Sequence, residues 1–127
     1  MNAQHAKLID QINAVLALDG DLMTLADMVD AAREGRVQIF HRDDAVVATE
    51  VLAFPRGKRV NGILAAGNLR SILAIEHDVE TFARSVGAGA IVTHGRPGWA
   101  RVGRRTGWTV HSWCYVKRLT ALNGGGP

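Results

Sequence analysis

Val60-Asn61-Gly62-Ile63-Leu64-Ala65-Ala66, then Gly67-Asn68, then a run carrying Ile72, Ile75, Val79, Phe82, Ala83 and Val86 on one helical face: this stretch decides the fold. Its first part is short, apolar and rich in small residues, which reads as a strand. Gly67 and Asn68 break that pattern, and the spacing of the apolar residues after them predicts an amphipathic helix. Gly87 stops the helix, and Ala88 to Thr93 is again short and apolar. A strand, a helix and a strand at this spacing give a crossover with the two strands parallel.

Working outward toward the N-terminus, Ala45 to Phe54 is long and apolar on both faces, as a covered central strand would be. Pro55 ends it, and Arg56-Gly57-Lys58 reads as the turn into Val60 to Ala66. Before it, Val37 to Phe40 is β-prone, with His41-Arg42-Asp43-Asp44 as a hairpin turn. Loops this short make the three strands antiparallel. Two helices precede them. Leu8, Ile9, Ile12, Val15 and Leu16 set the first, over about residues 3–17, and Asp19-Gly20-Asp21 ends it. Thr24 and Asp27 begin the second as an imperfect capping box, since Glu or Gln is usual at the later position; Gly35 ends it.

Toward the C-terminus, a fourth helix is expected from Pro97 to about Arg105, closed by Gly107. Trp108 to Leu119 reads as a last long strand. The expected organisation is a helical arm over 1–21, an α+β domain over 22–119 and a loose tail over 120–127.

The 127 residues are 47% hydrophobic, enough for a core without a disulfide or metal staple. Cys114 is the one cysteine, which fits a reducing compartment. No apolar run reaches membrane-spanning length and no signal-peptide pattern opens the chain, so a cytoplasmic location is expected. The net charge of +3 is unevenly spread: residues 1–50 carry four Lys/Arg against nine Asp/Glu, and residues 51–127 carry eleven against three. Such a split marks either a face for an anion or two faces that meet neighbours in an assembly.

The layout from about residue 22 to 119 resembles the GNAT family of N-acetyltransferases. The resemblance is carried by Arg84-Ser85-Val86-Gly87-Ala88-Gly89-Ala90-Ile91-Val92, by Gly95-Arg96-Pro97-Gly98-Trp99-Ala100-Arg101 and by Thr106-Gly107-Trp108. The middle run is also similar to small GNAT-like proteins encoded by bacteriophages and prophages. The resemblance implies a mixed sheet, and acetyl-CoA held with its pyrophosphate on backbone N–H groups at a helix N-terminus. The family's loop there reads Arg/Gln-x-x-Gly-x-Gly/Ala. The matching segment here is Ala65-Ala66-Gly67-Asn68-Leu69-Arg70-Ser71, with one glycine and with Arg70 out of place; Gly67, Asn68, Arg70 and Ser71 are what it offers a cofactor. Counted back from Gly107, the family's Asn, Ala and Tyr positions hold Arg96, Trp99 and Gly103. Residues 1–17 read as helix where the family has its first strand.

These departures imply a GNAT-like fold without acetyl transfer and needing no cofactor; the resemblance to phage-encoded proteins implies an accessory or internal component of the virion among other phage proteins. DNA is a further candidate partner. The alternatives are an acetyl-CoA-dependent N-acyltransferase and a nucleic-acid-binding module. An enzyme would need a base and an acid. Glu50, mid-strand among Val47, Ala48, Val51 and Leu52, is the best base; His94, at a strand end, is a second; Tyr115 is the candidate acid. A salt-bridged glutamate, a loop histidine and an edge tyrosine would look the same in sequence. Arg96, Arg101, Arg104 and Arg105 surround the fourth helix, with Trp99 among them, as a surface for a phosphate, a nucleic acid or a partner. No histidine or cysteine pair has metal spacing.

Overall fold

The computed structural model describes residues 2–18, 22–95, 98–112 and 114–119. The chain divides into two compact units, residues 1–93 and 94–127.

The first unit runs α1 (Ala3–Leu18), α2 (Leu25–Arg33), β1 (Gln38–Arg42), β2 (Ala45–Phe54), β3 (Gly57–Gly67), α3 (Leu69–Ser85) and β4 (Ala88–Thr93). The four strands form one sheet in the order β1-β2-β3-β4. The first three are antiparallel, and β4 joins β3 in parallel. This is the α+β architecture expected from the sequence: two helices, an antiparallel meander, then a strand-helix-strand crossover.

Both hairpins are tighter than the sequence suggests. His41 and Arg42 belong to β1, paired with Val46 and Ala45, so the turn is only Asp43-Asp44. Likewise Gly57 and Lys58 belong to β3, and the second turn is Pro55-Arg56. Polar turn residues were counted as loop, but in a two-residue hairpin the flanking polar residues complete the ladder.

The sheet is covered on both faces. On one, α1 and α2 supply Ile12, Leu16, Met28 and Ala31 against Val46, Ala48, Leu64 and Ala66. On the other, α3 supplies Ile75, Val79 and Ala83 against Ala45 and Val60. Phe40 of β1 meets Phe82 of α3 edge to face, 5.9 Å between ring centres. An aromatic pair of this geometry adds about 0.5–1.5 kcal/mol to its area burial.

One irregularity in β3 organises both cores. Ala48 pairs with Leu64 but Thr49 pairs with Gly62, so Ile63 is an extra residue opposite that step. The bulge reverses the alternation of β3. Leu64 and Ala66 therefore face α1 and α2, while Val60, an even number of residues away, faces α3. The β3–β4 ladder ends at the same place, with Gly62 opposite Thr93. Beyond it, Ile63 to Gly67 run on without a β4 partner.

Helix α2 is closed by a full capping box despite its aspartate. The Thr24 N–H donates to Asp27 Oδ2 and the Asp27 N–H donates to Thr24 Oγ1, both at 3.0 Å. The Thr24 N–H, then the Thr24 side chain, hold the Asp27 carboxyl below the usual carboxylate range. The contact thus adds stability above the carboxyl's unfolded pKa, and that stability is lost as pH falls through the lowered folded value.

The second unit contains α4 (Gly98–Arg104). The last strand expected over Trp108 to Leu119 is a correction: residues 108–112 and 114–119 form no strand. Val110, Tyr115, Val116 and Leu119 are all exposed. The segment has strand-forming side chains, but a strand also needs a neighbour's ladder, and no described residue supplies one. Trp113 and the tail 120–127 lie outside the described residues. Among the described residues no helix is long and apolar enough to cross a membrane.

Gly67 has φ +113, and a Cβ placed on it would stand 2.6 Å from the Ala45 Cα. Replacing it with alanine combines backbone strain with a clash against backbone. Gly67→Ala is expected to lower unfolding stability by about 2 kcal/mol or more in a urea melt. A loss under about 0.5 kcal/mol would show that the β3–α3 junction can shift.

Candidate functional site

The site is the junction where β3 turns into α3 beneath the β1–β2 hairpin. Close approach of the chain at Gly67 sets its geometry. The Asn68 N–H donates to the Asp44 carbonyl at 2.9 Å, extending the β2–β3 ladder by one bond. Asn68 is the N-cap of α3, and its Oδ1 accepts the Ser71 N–H at 3.2 Å. The Ser71 hydroxyl then donates to Asp44 Oδ1 at 2.6 Å. The cap residue and a carboxylate from a distant turn thus both stand at the start of α3.

Around this junction is an open depression of about 430 Å³, lined by Arg42, Asp43, Asp44, Arg70 and Ser71, with Gln4 from α1. Its charges are mixed. Arg42 is held by Asp78 at 2.8 Å. Arg70 is exposed and forms no ion pair among the described residues. Two carboxylates face two guanidiniums, so the depression carries no net charge to draw an anion.

The sequence-expected loop residues Gly67, Asn68, Arg70 and Ser71 are thus brought together. Asp44 is the residue that sequence reading missed. It was counted only as a turn residue, and its partner Ser71 lies 27 positions away. Helix N-termini attract anions through their free N–H groups and dipole. Here Asp44 already brings a negative charge to that end, and Asn68 takes one of the N–H groups. A pyrophosphate would meet a like charge there. The residues present do not fit the family's cofactor loop.

Glu50 lies on the sheet face toward α1 and α2, half-buried. Its Oε2 accepts the Asn61 Nδ2–H at 3.2 Å from the directly opposed position on β3. Five residues of extended strand separate Glu50 from Ala45, about 17 Å at strand rise, so it is remote from the α3 N-terminus. Asn61 was not singled out in the sequence, although a polar residue inside an apolar strand is a usable signal. Nearby, Arg59 stacks on the exposed Phe54 ring with its guanidinium carbon 4.9 Å from the centroid.

His94, Arg101, Arg104, Arg105 and Tyr115 belong to the second unit, and all five are exposed. Arg96 lies outside the described residues. Trp99, expected among the arginines of that surface, is 38% exposed, while Val102 is half-buried. Cys114 is free and exposed. Among the described residues no group of three His, Cys, Asp or Glu could hold a metal.

No family model matches this chain. No curated protein matches it by sequence either. Solved structures do. An acetyltransferase from Trypanosoma brucei superposes with a TM-score of 0.62 at 14% identity, over 87% of this chain and 94% of that one. Glucosamine-6-phosphate N-acetyltransferase from Arabidopsis thaliana gives a TM-score of 0.62 at 12% identity, over 93% of each chain. A GNAT-family acetyltransferase from Staphylococcus aureus gives 0.58 at 9%, over 94% and 95%. Likeness over nearly the whole of each chain, with the sheet and crossover described above, gives this protein a GNAT-like fold.

Proposed function

We propose that this chain is a GNAT-fold protein that does not transfer acetyl groups and acts as a binding component of an assembly, as an accessory or internal protein of a phage particle. The observation that carries the first half is the Asp44 carboxylate on the Ser71 hydroxyl at 2.6 Å. It puts a fixed negative charge where the family's fold would receive a pyrophosphate. The engagement of Glu50 by Asn61 supports the same reading. The Gly95–Arg101 run, by its resemblance to phage-encoded GNAT-like proteins, supports the phage setting. The uneven charge of the two halves supports contact with neighbours of complementary charge.

The stretch of β3 from Ile63 to Gly67, which has no β4 partner, favours a second reading, an acyltransferase that lays an extended thioester arm along that strand. The two readings separate on one titration. Calorimetry of the full chain with acetyl-CoA is expected to give no heat up to about millimolar cofactor, where a binding free energy near −4 kcal/mol would still register. Micromolar binding, followed by loss of turnover in Glu50→Gln, would establish the enzyme reading instead.

A further inference from the structure

The second unit differs from the first in charge and in aromatic content. Residues 94–127 contain six Lys/Arg and no Asp or Glu. Residues 1–93 contain nine Lys/Arg and all twelve acids. The aromatic residues divide as sharply: the three Phe lie in the first unit, and the three Trp and the single Tyr in the second.

The structure shows how each unit uses its cations. In the first, Arg33, Arg36 and Arg42 pair with Asp30, Glu34 and Asp78. In the second, Arg101, Arg104, Arg105, Lys117 and Arg118 are all exposed, and none forms an ion pair among the described residues. Tyr115, two residues before Lys117, is 88% exposed. An exposed tyrosine ring on a segment whose cations have no ion-pair partner among the described residues is available to a partner that supplies both an anion and a flat surface.

We infer that Arg101, Arg104, Arg105, Tyr115, Lys117 and Arg118 form a binding segment for single-stranded nucleic acid. The cations neutralise phosphates, and the exposed ring stacks on an unpaired base. Two features favour this partner. An anionic membrane would attract the cations by charge, but α4, with seven residues, is too short to add the buried apolar face that makes such binding firm. A single strand presents a phosphate and a base plane at every nucleotide, the pairing that these cations and Tyr115 match. The inference goes beyond the proposed absence of acetyl transfer. It rests on the second unit alone, and it stands whether or not acetyl-CoA binds.

The test is fluorescence anisotropy of the full chain with a labelled oligothymidylate, from about 50 to 200 mM salt. Five phosphate contacts predict a log–log salt slope of about −3.5, a weakening of roughly a hundredfold across that range. The triple change Arg101→Ala, Arg104→Ala, Arg105→Ala is expected to flatten the slope to about −1.4. Tyr115→Ala is expected to weaken binding roughly tenfold without altering the slope, and Tyr115→Phe to restore it. These side chains are exposed, so the variants should keep the wild-type circular dichroism spectrum. The inference is overturned by no binding at low salt, by a salt-independent affinity, by a triple variant that binds like wild type, or by capture on anionic vesicles with none on the oligonucleotide.

Discussion

The first unit depends on the close approach of two chain segments at Gly67. Only a residue without a Cβ fits there, because Asp44 and Ala45 run directly beneath it. Once that contact is made, several others follow. Ala45 pairs with Gly67, Asn68 bonds the Asp44 carbonyl, and the Asp44 side chain reaches the Ser71 hydroxyl. The β1–β2 hairpin and the first turn of α3 are thereby joined by three different kinds of contact. The carboxylate also complements the α3 dipole, which favours negative charge at that end.

The β3 bulge has the second organising role. Without the extra residue at Ile63, β3 would keep one parity along its length, and Val60 would face the same way as Leu64 and Ala66. The bulge lets a single strand serve the α1–α2 core at one end and the α3 core at the other. It also marks where the β3–β4 ladder ends, so that Ile63 to Gly67 have no β4 partner.

Much of this was legible in sequence because it is local. The α3 stripe of Ile72, Ile75, Val79, Phe82 and Ala83 is a period of 3.6, and it packs as that period requires. The Thr24–Asp27 box lies within one turn. Gly67 and Asn68 are legible from the break between strand and helix, and Ser71 from the resemblance to the family's loop. The features that escaped are non-local. Nothing near Asp44 announces Ser71 as its partner. The bulge has only Gly62 as a signal, since a glycine inside a strand often marks one, and the pairing that makes Ile63 the extra residue is non-local. The segment after Trp108 has strand composition, yet a strand is a property of two chains of backbone, and one sequence window cannot show whether the second is there.

The first unit is a sheet covered on both faces whose β3–α3 junction is held by its own side chains. The second is basic and aromatic, and its cations form no ion pair among the described residues. The central claim is that the Asp44 carboxylate is bound to the α3 N-terminus through Ser71, and a double-mutant cycle tests it directly. Unfolding free energies would be compared for the wild type, Asp44→Ala, Ser71→Ala and the double variant. A coupling of about 1 kcal/mol or more, as a hydrogen bond to a charged group gives, is the predicted result. Effects that add to within about 0.3 kcal/mol would contradict the account and leave the α3 N-terminus open to an anion.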